Sequence, residues 1–150
     1  MASTDLLVLS DALRSITQHM DIHSRYLQKK IGITATQLSV LLALADESPL
    51  PASKISQKIH LSAATLSGTM VRLEAGGLIT RGKNADDRRQ ILIHLTDKGR
   101  SVLASDLSPL PEPLVAHFNN GLPDWEKSMI TCALQKLAHL MRHHDQHTER

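Results

Sequence analysis

The fold is decided between residues 53 and 99, where SKISQKIH (53–60) is followed after Leu61 by SAATLSGTMVRLEAG (62–76). Both stretches carry apolar residues at helical spacing. Two short β-type runs come next, LITR (78–81) and QILIHL (90–95), and the polar segment GKNADDRR (82–89) lies between them. A helix, a tight turn, a second helix and a hairpin with a basic tip, in this order, predict a winged helix-turn-helix.

The second helix of this unit has one apolar face and one face of small and polar residues. Ser62 is its predicted N-cap, and an inward stripe is formed by Leu66, Met70 and Leu73. At about 100° per residue, the positions turned outward or to the flank are Ala64, Thr65, Ser67, Gly68, Val71 and Arg72. Gly68 costs roughly 1 kcal/mol relative to Ala inside a helix. Either it lets the helix backbone approach a DNA groove closely, or it is a tolerated small residue at an exposed position.

The tip of the hairpin combines cations with acids. It contains Lys83, Asn84, Asp86, Asp87, Arg88 and Arg89. A basic finger of this kind can enter the minor groove of DNA, where the negative potential favours Arg. Asp87 can hold Arg89 or Arg88 in an extended rotamer before DNA binds. The alternative is an ordinary solvated turn with incidental ion pairs, each contributing less than about 1 kcal/mol.

The charge distribution agrees with a nucleic-acid-binding centre. Residues 51–100 contain nine Lys or Arg and four Asp or Glu, a net charge of +5, whereas the whole chain carries only +2. The two ends are therefore mildly acidic and the middle is basic, as expected if only the middle faces phosphate. A solvated basic face would give the same excess, so charge alone does not decide between the two.

The segment before the decisive stretch predicts two helices and a loop. Residues 5–30 carry apolar side chains at three- and four-residue steps, which is the period of one helical face. Thr34 and Gln37 have the spacing of a capping box that begins a second helix. Residues 46–51 are predicted to be a loop, with Pro51 as the first residue of the helix that follows.

The segment after it predicts further helices. Thr96 is the predicted N-cap of the next helix, whose inward side chains are expected to be Val102, Leu103 and Leu107. This helix is expected to be interrupted by Pro109, Pro111 and Pro113. A final helix is predicted to begin at Pro123 and Asp124. Its apolar positions at steps of four, three and four form a seam for another helix, plausibly from a second subunit, and are Ile130, Leu134, Leu137 and Met141.

Bulk properties limit the class of protein. One hundred and fifty residues with 41% apolar content fit a single domain with its own core. The lone cysteine, Cys132, excludes an internal disulfide within the chain and is compatible with a reducing compartment. No apolar run approaches the roughly 20 residues of a membrane span, and no signal peptide is recognised. A cytoplasmic protein without a membrane partner is expected.

Three separated motifs resemble the MarR family of bacterial transcription regulators. They are LEAGGLITR (73–81), DRR (87–89) and LTDKG (95–99), at the spacing usual for the family. The resemblance implies a mainly α fold with a minor β component, namely a winged helix-turn-helix with flanking N- and C-terminal dimerisation helices. It places the DNA-binding lobe at 34–96 and the dimerisation helices at 1–33 and 97–150, all within one domain of 1–150.

The resemblance also implies a function and a set of contacts. It implies a homodimer that binds palindromic double-stranded DNA in promoters, usually as a repressor that is relieved by a ligand or by oxidation. The recognition helix would be lined by Ser62, Thr65, Ser67, Gly68 and Thr69, with Arg89 or Arg88 in the minor groove and Asp87 as the partner of that Arg. With the outward residues above, the expected DNA-binding set is Ser62, Ala64, Thr65, Ser67, Gly68, Thr69, Arg72, Lys83, Asp87, Arg88 and Arg89. Long polar side chains for bidentate base contacts are missing from this helix, so hydroxyls, thymine methyls and groove shape are expected to contribute to readout.

Several alternatives stay open. One is a winged-helix protein-interaction module without DNA binding, which the short, polar-poor recognition face favours. Another is a metal-responsive regulator, because imidazoles repeat every four residues at His139, His143 and His147 and again at His19 and His23. Redox sensing through Cys132 and binding of a small-molecule effector are further options. No cofactor is expected, and no motif for catalysis is present, so the chain is not expected to be an enzyme.

Overall fold

The computed structural model describes residues 2–87 and 89–148, with side-chain detail for 4–87 and 89–142. Seven helices and three strands occur within this described part. In chain order they are α1 (Ala2–Ile31), α2 (Ala35–Asp46), β1 (Leu50–Pro51), α3 (Ala52–Ile59), α4 (Ala63–Ala75), β2 (Ile79–Lys83), β3 (Ile91–Leu95), α5 (Asp97–Leu103), α6 (Glu112–Asn120) and α7 (Asp124–Thr148). The predicted winged helix-turn-helix with flanking helices is confirmed.

Local capping decides where three of the helices begin. The Thr34 hydroxyl accepts a hydrogen bond from the Gln37 amide, and the Gln37 side chain accepts one from the Thr34 amide, so the predicted capping box is present. Ser62 caps α4 by accepting from the Thr65 amide. Thr96 caps α5 by accepting from the Gly99 amide. Each cap satisfies an amide that has no partner within its helix.

The sheet has the order β1-β3-β2, and both pairings are antiparallel. The prediction of a loop at 46–51 was wrong in its last two residues. Leu50 lies opposite Ile93, so these residues form a short strand, and Pro51 occupies the N-cap of α3 rather than its first turn. The long-range pairing is invisible to local sequence patterns. The Leu95 amide donates to the Ser48 hydroxyl at 3.2 Å and extends this attachment.

The chain divides into two compact units, Met1–Pro111 and Glu112–Arg150. The first unit contains a continuous apolar core that joins the helices of the winged helix-turn-helix to the sheet. Its largest fully buried side chains are Leu27, Leu38, Val40, Leu41, Leu44, Ile55, Leu66, Leu73, Ile79 and Ile93. Burial of an aliphatic side chain contributes roughly 1.5–3 kcal/mol. This core therefore fixes the positions of α3, α4 and the hairpin relative to one another.

Helix α5 is shorter than expected. It ends at Leu103. The Ser105 and Asp106 amides then donate to carbonyls three residues earlier, and Asp106 adopts a positive φ of 50°. Leu107 is therefore not part of the helix, although it still packs against the core half-buried. The prolines lie beyond this break, and Pro113 is tolerated in the first turn of α6 because first-turn amides need no helical acceptor.

The second unit consists of α6 and α7. The Lys127 ammonium donates to the Asn119 carbonyl at 2.9 Å and ties the start of α7 to the end of α6. Within residues 112–142 no side chain is fully buried, and exposed apolar groups include Leu114, Trp125, Met129, Leu134, Leu140 and Met141. Two amphipathic helices without a buried centre leave an apolar face uncovered.

Candidate nucleic-acid interface

Helix α4 presents a small-residue face to solvent. Its inward side is anchored by Leu66, Met70 and Leu73. The side chains or positions left exposed are Ala64, Thr65, Ser67, Gly68, Val71 and Arg72. A methyl group added at Gly68 would meet nothing within 4 Å, so the surface over this position is open. Val71 is 56% exposed on this face. It was absent from the expected DNA-binding set although the helical wheel placed it on the flank.

One member of the expected set is buried. Thr69 is only 6% exposed, and its hydroxyl donates to the Thr65 carbonyl at 2.8 Å. The residue lies at the edge of the apolar stripe, about 60° from Leu66 on the helical wheel. Its methyl group joins the core there while its hydroxyl is satisfied within the helix. The side chain of Thr69 is thus not available to a ligand on the outer face.

The first turn of α4 offers polar groups at its exposed end. The Ser62 hydroxyl accepts from the Thr65 amide at 3.2 Å and donates to the Thr65 hydroxyl at 2.9 Å. Because Ser62 gives its hydrogen to Thr65, the hydroxyl hydrogen of Thr65 remains free to point outward. His60, immediately before this turn, adopts the left-handed conformation with a φ of 56°. Its side chain is exposed at the junction of α3 and α4.

The wing is a β2–β3 hairpin with an ordered polar turn. The Asn84 amide donates to the Gln90 carbonyl at 3.0 Å, and the two side chains also bond at 2.8 Å. The Asp87 carboxylate accepts from the Arg89 backbone amide at 3.0 Å, so Asp87 helps to organise the turn. Lys83 and Arg89 are exposed and have no ion-pair partner among the residues that the structure describes. The expected role of Arg88 lies outside the described residues.

The last turn of α4 is held from two directions by side chains that the sequence reading did not assign. The Arg81 guanidinium of β2 pairs with the Glu74 carboxylate at 3.0 Å. From α5, the Lys98 ammonium donates to the Gly76 carbonyl at 2.8 Å, and the Thr96 hydroxyl donates to the Gly77 carbonyl at 2.8 Å. The LEAGGLITR and LTDKG motifs are therefore in contact. The only signal of this contact in the sequence was that both motifs occur together.

Residues 33–91 match the family model described as "MarR family". These residues form a MarR family domain. The chain is 34% identical over 94 residues to the HTH-type transcriptional regulator MgrA of Staphylococcus aureus, a match that covers 63% of this chain and 62% of MgrA. The chain thus spans less than two thirds of the curated relative. This relative is a regulator rather than an enzyme, in agreement with the expectation from sequence.

Two solved structures resemble the whole chain. AbfR, known from Staphylococcus epidermidis and here bound to DNA in its overoxidized form, is 27% identical with a TM-score of 0.68, over 93% of this chain and 99% of AbfR. BpsR of Bordetella bronchiseptica is 26% identical with a TM-score of 0.66, over 88% of this chain and 98% of BpsR. The BpsR structure concerns regulation of its DNA binding by 6-hydroxynicotinic acid. The winged-helix architecture is shared with both.

A cleft borders the MarR domain on the side of the α3–α4 turn. One part, of about 200 Å³, is lined by Met20, Ala35, Thr36, Ser39, Ile59, Leu61, Pro109 and Leu110. An adjoining part of about 380 Å³ shares Ser39, Ile59 and Pro109 and ends at Asp46 and Lys58. The Lys58 ammonium donates to the Asp46 carboxylate, and this hydrogen bond and the positive charge lower the pKa of Asp46. The cleft is thus mainly apolar with one charged end.

The remaining candidate groups are the histidines and the cysteine. His23 contacts the Ser108 carbonyl through Nε2 at 3.0 Å, and His19 contacts the Ser15 carbonyl through Nδ1 at 2.7 Å. No cluster of three metal-ligating side chains occurs among the residues described. The expected cluster at His139, His143 and His147 falls partly outside them, because the side chains of the last two are not described. Cys132 is an exposed thiol. None of the described helices is long and apolar enough to span a bilayer.

Proposed function

We propose that this protein is a DNA-binding transcription regulator that acts as a homodimer on a palindromic promoter site. The observation that carries the proposal is the pairing of an exposed α4 face with a cationic wing on the same lobe. Lys83 and Arg89 form no ion pair with an acidic side chain among the described residues, so both cations are available to bind phosphate. The resemblance to AbfR, which has been solved on DNA, supports the same docking.

In this proposal α4 lies in the major groove. Thr65, Ser67 and Arg72 offer hydrogen bonds, while Ala64 and Val71 offer apolar contact to thymine methyl groups. Gly68 lets the helix approach the base edges because its outer face is open. The first-turn backbone amides next to Ser62 bond a phosphate at the N-terminus of the helix. Thr69 is left out of the contact set because its side chain is buried.

The wing reaches the minor groove with its cations. Arg89 enters the groove, where the electrostatic potential is most negative, and Lys83 contacts the backbone beside it. Asp87 shapes the turn that presents Arg89, through its bond to the Arg89 amide. Arg88 is retained as an alternative groove residue from the sequence pattern DRR. The net charge of +5 over residues 51–100 supplies the long-range attraction to DNA.

Dimerisation involves the flanking helices. Exposed apolar side chains on α1 include Leu6, Leu7, Val8 and Ile16, and α7 adds Trp125, Met129, Leu134 and Met141. An uncovered apolar area of this kind is a liability for a monomer and is suited to a two-fold interface. Two lobes related by such an axis would read two half-sites about one helical turn apart, roughly 34–36 Å, which explains a palindromic target.

Repression relieved by a small molecule completes the proposal. The apolar cleft includes Ile59 and Leu61, which lie on either side of the residue at the turn between α3 and α4. A ligand that enters the cleft moves these two side chains and with them the start of the recognition helix. Its charged end, formed by Asp46 and Lys58, would accept a polar group. Regulation of BpsR by 6-hydroxynicotinic acid is a precedent in a similar protein.

The test begins with selection of bound sites from a pool of random 30-bp duplexes, a length that holds two half-sites with flanks. The affinity of the selected duplex and of a scrambled duplex is then measured by fluorescence anisotropy across a salt series. We expect affinity for the selected site to exceed that for the scrambled duplex by at least about 10³. Replacement of Arg89 by Ala should weaken both and reduce the salt slope by about one.

Three results would contradict parts of this proposal. Absence of DNA binding at low salt would exclude a DNA-binding regulator and favour a protein-interaction module. Selection of sites without two-fold symmetry would exclude the dimer on a palindrome. A metabolite screen in which no compound both raises the melting temperature and lowers DNA affinity would leave the cleft without its proposed role.

A further inference from the structure

We propose that Lys98 and Glu74 are positioning residues for DNA recognition, which orient the recognition helix without contacting DNA. This inference rests on the proposed function. Both residues act at the last turn of α4 and the two glycines that follow it. Glu74 is held by Arg81 of the wing, and Lys98 holds the Gly76 carbonyl from α5. The end of the recognition helix is thereby tied to the two neighbouring elements of its lobe.

The main-chain geometry explains why this end needs side chains. The Gly77 amide donates to the Glu74 carbonyl at 2.9 Å, and the Leu78 amide donates to the Leu73 carbonyl at 2.9 Å. These bonds close the helix, and Gly77 takes the left-handed conformation with a φ of 72°. The carbonyls of Gly76 and Gly77 then point out of the helix, where Lys98 and Thr96 bind them at 2.8 Å.

The start of α5 is itself fixed against the same turn. The Thr96 amide donates to the Leu78 carbonyl at 3.2 Å. A methyl group at Gly99 would lie 2.4 Å from that carbonyl oxygen, so the α5 backbone is in direct contact with the turn. The Lys98 side chain runs over Gly77 and ends at Gly76. Lys98 therefore bonds from a rigid base, and its ammonium also complements the negative end of the α4 dipole.

These contacts set the orientation of α4 within its lobe. The inward residues of α4 pack it against the core, and the contacts at its C-terminal end further oppose a change in the angle of the helix. Base readout needs side chains placed to within a fraction of an ångström, whereas phosphate attraction does not. Loss of the contacts should therefore reduce sequence discrimination more than general affinity for DNA.

Substitutions that change the charge of Glu74 or Lys98 distinguish a positioning role from a purely electrostatic role. Glu74→Gln removes a negative charge from the basic lobe, so electrostatics alone predicts tighter DNA binding. The positioning role predicts weaker binding to the selected site, because Gln offers the Arg81 guanidinium a neutral amide oxygen in place of the carboxylate and holds it less strongly. Lys98→Met removes a positive charge, and Arg100→Met is its matched control, since Arg100 is exposed on the same helix and has no ion pair in the described chain.

The experiment measures binding of full-length wild type, Lys98→Met, Lys98→Arg, Arg100→Met and Glu74→Gln to the selected and scrambled duplexes across salt. Melting temperature is recorded for each protein. We expect Lys98→Met and Glu74→Gln each to weaken binding to the selected duplex by roughly fivefold, from loss of one charged hydrogen bond. Binding of Lys98→Met to the scrambled duplex and its salt slope should match those of Arg100→Met, and Lys98→Arg should restore wild-type discrimination.

Each other outcome overturns a defined claim. A salt slope for Lys98→Met lower by about one than that of Arg100→Met would mean that Lys98 binds phosphate directly. A lower melting temperature with unchanged discrimination would mean a structural role only. Tighter binding of Glu74→Gln to the selected duplex would exclude positioning by Glu74. Failure of wild type to bind either duplex would instead refute the proposed function, and the inference with it.

Discussion

Two glycines of the DNA-binding lobe have opposite surroundings. At Gly99 an added methyl group would lie 2.4 Å from the Leu78 carbonyl oxygen and 2.6 Å from a Leu95 methyl group. At Gly68 it would contact nothing. Neither residue has a positive φ, so the difference lies in packing and not in backbone freedom. The same substitution is therefore expected to have opposite effects on stability at the two sites.

We expect Gly99→Ala to lower the free energy of unfolding by roughly 2–3 kcal/mol, because the obstructing atoms include backbone that cannot move aside without shifting α5. Urea denaturation followed by circular dichroism measures the change. Ser101→Ala, two residues further along α5 at an exposed position, serves as the control and should alter stability little. A loss under about 0.5 kcal/mol for Gly99→Ala would contradict the close contact between α5 and the turn.

Gly68→Ala should raise the free energy of unfolding by about 1 kcal/mol, since Ala favours an exposed helix interior by that amount. The same denaturation experiment measures it. DNA binding by this variant separates the two explanations left open by the sequence. Weaker binding to the selected duplex means that the α4 backbone lies against the groove, and unchanged binding means that Gly68 is only tolerated. Decreased stability would show that the position is not open.

At the scale of elements, local signals were sufficient to locate helices and long-range contacts were not. Thr34, Ser62 and Thr96 were correctly predicted as caps, because a cap depends on residues within one turn. β1 was missed because two residues acquire strand geometry only through pairing with β3, about forty positions away in the chain.

In the candidate site too, local patterns were predicted from the sequence and long-range contacts were not. Periodicity placed the outward face of α4 correctly. The resemblance to the MarR family added Thr69 to the expected contact residues, although this residue lies at the edge of the apolar stripe and is buried. The Glu74–Arg81 and Lys98–Gly76 contacts were not predicted, since their partners meet only after the hairpin folds back. Sequence motifs marked these residues as a set without indicating what they contact.

The α2–α3 junction should contribute pH-dependent stability. Lys58 lowers the pKa of Asp46 in the folded protein. The ion pair thus stabilises the fold at pH values above the unfolded carboxyl pKa of about 3.9, and this contribution is lost as the pH falls through the lower folded value. The melting temperature of wild type should exceed that of Asp46→Asn by a small margin near neutral pH, and the margin should close at acidic pH.

A double-mutant cycle controls this measurement. Lys58→Met should lower the melting temperature in the wild-type background and have a smaller effect in the Asp46→Asn background, because the partner is already absent. A margin that is the same at acidic and neutral pH would show that Asp46 acts through something other than its charge. The pair is solvent-exposed, so added salt should also reduce the margin.

At the scale of the whole molecule, the uncovered apolar side chains of α7 predict association. Leu134 is 47% exposed and Met141 is 58% exposed, and they lie seven residues apart on one helical face. We expect wild type to sediment as a dimer at micromolar concentration, and the variant with Leu134→Glu and Met141→Glu to sediment as a monomer. This variant should also bind the selected duplex more weakly by at least about tenfold, because the two half-sites would then be bound independently.

Lys136→Glu is the matched control for this experiment, since it introduces the same acid at an exposed position of the same helix. It should remain dimeric. A monomeric wild type that still binds the selected duplex tightly would exclude the homodimer. A dimeric double variant would mean that the interface is formed by other residues, on α1 or on another part of α7.

The strand order β1-β3-β2 has a consequence for biosynthesis. β1 precedes the two helices of the helix-turn-helix and β2 follows them, but each pairs only with β3, which is made last. A nascent chain that has just reached Lys83 contains the complete recognition helix and lacks the strand that anchors both of its flanks. The proposed DNA-binding surface is therefore complete only after residues 91–95 have left the ribosome. A translation product truncated in the wing would contain the sequence of α4 without the sheet that positions it.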